Sequence, residues 1–178
     1  MNQFLNINGQ ACFFWALLLF AVPLRWLLAA CLAAFVHELF HAVSIYLLGG
    51  RICSMEFGSS GIRMNVCDLD RRGEFFAALS GPLGSFILVS FGRIFPLSAV
   101  CGFVQGIFNL IPVYPLDGGR ALKCVLDALF PMYSQKILHT VSACTVVFLF
   151  FLSALLSWKL VMIPVLLLVH SDILRKRP

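Results

Sequence analysis

His37, Glu38 and His41 stand in "FVHELFHAV", residues 35–43, within a run from 26 to 48 that holds no other charged residue. On a helix, residues four apart share a face. His37 and His41 can therefore turn two imidazoles toward one metal ion, with Glu38 at the edge of the same face. Two histidine ligands beside a glutamate that takes a proton from water form a set suited to metal-assisted amide hydrolysis. A purely structural role would have three polar residues satisfied by neighbouring helices. A lone intramembrane histidine reads that way. Three such groups at this spacing do not, because ionisable side chains in hydrocarbon are costly and are rarely placed there without use.

A catalytic zinc usually takes three protein ligands and keeps one position for water or substrate. Of the chain's eight acidic residues, the seven besides Glu38 could supply the third. Glu56, Asp68, Asp70 and Glu74 fall in a polar loop, and Asp172 lies beside the basic C-terminal tail. Asp127 sits near basic residues and reads as an interfacial charge. Asp117 remains, in "NLIPVYPLDGGR", residues 109–120, where prolines and a double glycine free the backbone. Irregular backbone at membrane depth is tolerated where it is buried in protein or lines a cavity. Asp117 is thus the expected third ligand. His139 and His170 lie near predicted span ends and read as interfacial.

These groups need a membrane scaffold. Hydrophobic residues make up 61% of the 178 and charged residues 12%, against roughly 45–50% and about 25% in soluble domains. Apolar segments fall at about 11–22, 24–48, 75–92, 94–115, 137–157 and 159–174, and a span needs roughly 20 residues. The expected fold is an all-α polytopic membrane protein with about six transmembrane helices. Pro112 and Pro115 should break the fourth, its second half resuming from about 117 to 130. Between the second and third, "RICSMEF" and "GIRMNV" flank "GSS", which predicts a β-hairpin over 51–66. The expected organisation is one intramembrane domain over 1–178, with its catalytic core at 24–130.

Charge sets the orientation. Of the thirteen Lys and Arg residues, six spans leave only Arg25, Arg93 and Lys159 on one side. The other ten place both termini and the 49–74 loop in the cytoplasm. His41 lies eight residues before Gly49, about 12 Å along a helix, and His37 about 18 Å. A metal there would be inside the bilayer, nearer the cytoplasmic face. The scattered positive charge reads as topology signal, not as a surface for nucleic acid. The seven cysteines show no CxxC spacing and mostly lie in apolar runs, so no disulfide framework and no cysteine zinc site is expected. The N-terminus lacks the pattern of a cleaved signal peptide.

The sequence resembles the site-2 protease family of intramembrane zinc metalloproteases. "HELFH" is similar to the family's HExxH, "NLIPVYPLDGG" to its Asn-x-x-Pro…Leu-Asp-Gly signature, and "LSGPLGS" to its Gly-Pro motif. In order and spacing the match runs from about 24 to 130. The resemblance implies one zinc ion held by His37, His41 and Asp117, with Glu38 as general base. It implies that Asn109 holds substrate or the developing oxyanion, and that Gly81 and Pro82 matter for packing near the site. Ser85 stands where the motif often carries asparagine. Within the family the chain looks closest to the sporulation-type branch, which matures a pro-sigma factor.

The expected activity is regulated intramembrane proteolysis, in a bacterial cytoplasmic membrane, of a membrane-associated or transmembrane protein. A pro-sigma or anti-sigma regulatory protein is the expected kind of substrate, and a regulatory membrane protein a further expected partner. The alternative is a zinc-binding membrane protein without protease activity, such as a transporter or an inactive homologue; transport would favour ionisable groups along several helices. Here the acids concentrate at one point. An intramembrane serine protease would want GxSxG, which "GSSG" at 58–61 does not match.

Overall fold

The structure, a computed structural model, covers residues 5–7, 22–58 and 61–156. The expected first and last spans lie outside these residues, save for Val22. The chain divides into two compact units, Met1–Phe108 and Asn109–Pro178.

The first unit contains strand β1 (Leu5–Ile7), helix α1 (Leu24–Leu47), strands β2 (Arg51–Gly58) and β3 (Gly61–Cys67), helix α2 (Arg71–Ser90) and helix α3 (Pro96–Asn109). Pro23 precedes α1, and its carbonyl accepts the amides of Trp26 and Leu27. Gly49 and Gly50 end the helix. Gly49 takes φ of +80° and donates to the Tyr46 carbonyl, while Gly50 donates to the Ile45 carbonyl. Those two bonds are the paired closure of a Schellman motif, which needs a residue at ease with positive φ. The sharp stop turns the chain straight into β2.

Ala29, Ala33, His37, His41 and Ile45 are the buried residues of α1, a single stripe at intervals of four. α2 buries Ala77, Ala78, Gly81, Pro82, Gly84, Ser85 and Leu88. These are mostly small residues, which let two backbones approach closely where hydrophobic burial gives no drive between helices. The large apolar side chains Phe35, Leu39, Val43 and Tyr46 face outward, as suits lipid. Asp70 caps α2 by accepting from the Gly73 amide at 2.8 Å, with Glu74 in the first turn.

The hairpin forms where alternation predicts it, antiparallel from Arg51↔Cys67 to Gly58↔Gly61, with an irregularity between Ile52 and Ser54. Two features differ from expectation. β1 pairs in parallel with β2 through Leu5↔Met55 to Ile7↔Phe57, so the sheet has the order β1-β2-β3. Three residues are too short for periodicity to register. Cys53 and Cys67 are also joined in a disulfide across the hairpin, Cα to Cα 6.0 Å. Spacing of fourteen residues carries no pairing signal by itself; the strand register brings the two thiols together.

In the second unit, α4 (Asp117–Leu129) packs against α5 (Ser134–Leu156). The helix therefore does break between Asn109 and Asp117. Asp127, expected as an interfacial charge, accepts a hydrogen bond from the Ser134 hydroxyl, which ties the end of α4 to the start of α5. Among the described residues, α1, α2 and α5 are long and apolar enough to cross a membrane. The structure is mostly helical with one small sheet.

Candidate metal centre

α1 supplies the histidines four residues apart on its buried stripe, at 2% and 6% exposure for His37 and His41. Their Nε2 atoms are 3.2 Å apart, and the rings meet nearly perpendicular, 83° between planes. Two Zn–N bonds of about 2.0–2.1 Å meeting near the tetrahedral angle put their nitrogens roughly 3.3 Å apart. The observed separation fits that demand.

The outer nitrogens are held by α2. His41 Nδ1 donates to the Ala77 carbonyl at 2.7 Å. A carbonyl only accepts, so this bond keeps the proton on Nδ1 and the lone pair on Nε2. The same carbonyl accepts from the Ser80 hydroxyl at 2.7 Å. His37 Nδ1 lies 2.8 Å from Ser85 Oγ, so Ser85 has a polar contact with the histidine pair.

Gly81 lies between these two contacts along α2. A Cβ there would run into the His41 ring, and one at Gly84 into Phe40. The Gly-Pro motif thus has a local reason: α2 must present bare backbone to the histidine. Glu38 is half-buried on α1, next to His37 in sequence and off the buried stripe.

Asp117 is the first residue of α4, buried at 7%. The helix N-terminus favours its charge. Arg120 one turn on brings Nη1 to 3.9 Å from Oδ1, a loose ion pair with a partly exposed guanidinium. The preceding segment is fixed by the Val113 amide donating to Ile111 and the Leu116 amide donating to Val113. Tyr114 donates its amide to Ser142 Oγ on α5 at 3.4 Å. A Cβ on Gly118 would collide with the Leu110 carbonyl, and one on Gly119 with the backbone of Val113 and Tyr114. The double glycine after Asp117 is what lets the loop fold back on the helix start. Asn109 ends α3 and is half-buried. His139 is exposed on α5.

His37 and His41 offer buried imidazoles and Asp117 a buried carboxylate, and these ligand types are those of zinc. Sequence reasoning proposes these three as ligands and Glu38 as the base. It did not find the Ala77 carbonyl or the Ser85 contact, since a backbone acceptor has no sequence signature and serine is common in helices.

Residues 76–152 match the model of Peptidase family M50. That stretch includes Asp117 and stops short of the histidines. The zinc metalloprotease MJ0392 of Methanocaldococcus jannaschii is 27% identical over 150 residues, covering 76% of this chain and 44% of the relative. The chain thus spans less than half the length of that curated relative. The solved site-2 protease from Methanocaldococcus jannaschii superposes with a TM-score of 0.70 at 19% identity, covering 92% of this chain and 86% of the other. The fold is that of a site-2 protease. Within that fold α1 carries both histidines, α2 supplies the contacts to their Nδ1 atoms, and α4 begins with the aspartate.

Proposed function

We propose that this chain is an intramembrane zinc endopeptidase with His37, His41 and Asp117 as metal ligands and Glu38 as general base. The observation that carries the reading is the histidine pair: two buried Nε2 atoms 3.2 Å apart, each ring held at Nδ1 from the neighbouring helix. Zinc, when bound, would supply a Lewis acid that lowers the pKa of a water to about 7. Glu38 accepts a proton from the water that attacks the peptide carbonyl and returns it to the departing amide nitrogen. The water's oxygen ends on the new carboxyl group. The Asn109 side-chain amide donates a hydrogen bond to the carbonyl oxygen as it gains negative charge. Ala77 holds the His41 ring in the tautomer the metal needs.

The substrate is a membrane-associated or transmembrane protein segment that must unwind, because a helical backbone hides its carbonyls. β2 is covered on one side by β1 and on the other by β3. An extended segment would therefore add to the outer edge of β3, by backbone pairing that demands little of its sequence. A pro-sigma or anti-sigma regulatory protein is the substrate we favour, because the short N-terminal hairpin span and the loop after the second span look closest to the sporulation-type branch. Six spans, with both termini in a bacterial cytoplasm, complete the reading.

The metal assignment is tested by zinc content. Asp117→Ala is expected to lower zinc in the purified protein by at least tenfold, and Asp127→Ala to leave it within about twofold, since Asp127 serves the α4–α5 turn. The reverse order would remove Asp117 from the site.

The orientation is tested at the hairpin. Exposed disulfides persist on the oxidising side of a membrane, whereas the charge bias puts this loop in the cytoplasm. We follow the charges, because they act while the helices insert and the thiols can only respond afterwards. In intact cells given an impermeant reductant and an impermeant maleimide, Cys53 and Cys67 should stay unlabelled until lysis. Labelling before lysis would invert the orientation.

A further inference from the structure

Ser85 is wholly buried, at 0% exposure, and its hydroxyl reaches the His37 imidazole at 2.8 Å. The two histidines are thus held by unlike partners. The Ala77 carbonyl can only accept, so His41 has one tautomer. A hydroxyl both donates and accepts, so Ser85 serves His37 in either tautomer. For His37 to offer Nε2 to a metal, Nδ1 must carry the proton and donate it to Ser85 Oγ.

The surroundings keep this hydroxyl in place. α3 meets α2 through Gly102 and Gly106. A Cβ on Gly102 would come 3.1 Å from the Ser85 carbonyl oxygen, and one on Gly106 3.2 Å from the Ser85 Cβ. The glycines of α3 bring its backbone against Ser85, with room for a small side chain and little more.

We propose that Ser85 is a positioning residue for the metal site: its hydroxyl oxygen accepts a hydrogen bond from the Nδ1–H of His37 and so holds Nε2 as a ligand. This rests on the metal reading above. Removing the hydroxyl leaves a buried N–H with that partner lost, which disfavours the ligand tautomer and loosens the ring.

The test is zinc affinity by chelator competition on the purified full chain, for wild type, Ser85→Ala and Ser98→Ala. Ser98 is a buried serine of α3 at 6% exposure and serves as the control for loss of a buried hydroxyl. Ser85→Ala removes one atom, and circular dichroism is expected to show a folded helical protein. Its zinc affinity should fall about 10–100-fold, and its Co²⁺ form should show altered d–d absorption. Ser98→Ala should match wild type in both. Wild-type affinity and spectrum in Ser85→Ala would overturn the proposal, as would equal losses in the two variants. Wild-type protein that takes up no zinc would instead overturn the metal reading, and the role of Ser85 with it.

Discussion

Glu38→Gln should lower peptide cleavage by roughly 10²–10⁴-fold, the usual contribution of a positioned general base, while zinc content stays at the wild-type level. The glutamine keeps the size and the hydrogen-bonding reach of the side chain but cannot take up a proton. Glu38 sits on α1 next to His37 and outside the buried stripe that carries both imidazoles. Removing its charge should therefore leave the ligand geometry intact. Cleavage and bound zinc are measured on the same preparation. Cleavage within a few-fold of wild type would dismiss Glu38 as base, and loss of zinc would make it a ligand. The inactive variant should also accumulate bound substrate. Photocrosslinkers placed along β3 should capture that substrate if it adds to the open strand edge, and crosslinkers on α5 should not.

Gly81→Ala should cost more zinc affinity than any other single methyl added to α2. The new Cβ would overlap the His41 ring, and the ring cannot retreat without breaking its bond to the Ala77 carbonyl. Overpacking of this kind typically costs about 1–3 kcal/mol. Here it falls on a ligand, so zinc affinity should drop more than tenfold and cleavage with it. Gly84→Ala is the comparison, since its methyl meets Phe40, which is not a ligand. Both variants should lose thermal stability by similar amounts, and only Gly81→Ala should lose zinc. Equal zinc loss in the two would mean that helix spacing, rather than the His41 ring, sets the affinity.

Much of this site was legible in the sequence, because its parts are local. Two histidines four apart share a helix face whatever surrounds them. A glutamate between them in an apolar run has few innocent explanations. Asp117 emerged from the cost of charge in hydrocarbon, which left one acid beside broken backbone. α1 was expected at 24–48 and runs Leu24–Leu47; the resumed helix was expected from 117 and begins at Asp117. Apolar length, proline and glycine set those boundaries, and each acts on its own neighbourhood. The hairpin followed in the same way from alternation on either side of a turn.

What sequence could not supply depends on residues far apart in the chain. The Cys53–Cys67 bond was not expected, because thiols in a strand pair meet only once register is set. β1 gave three residues of pattern, and its place beside β2 rests on pairing some fifty residues away. The tautomer of His41 is decided by a carbonyl 36 residues on, and the partner of His37 by a serine 48 residues on. Sequence by itself determined which groups can bind a metal and move a proton, because that follows from side-chain chemistry and the 3.6-residue helical repeat. Only the tertiary structure decided how those groups are held. Imidazole orientation depends on where α2 puts a carbonyl, a gap and a hydroxyl, and small residues along both helices set how closely the two backbones approach.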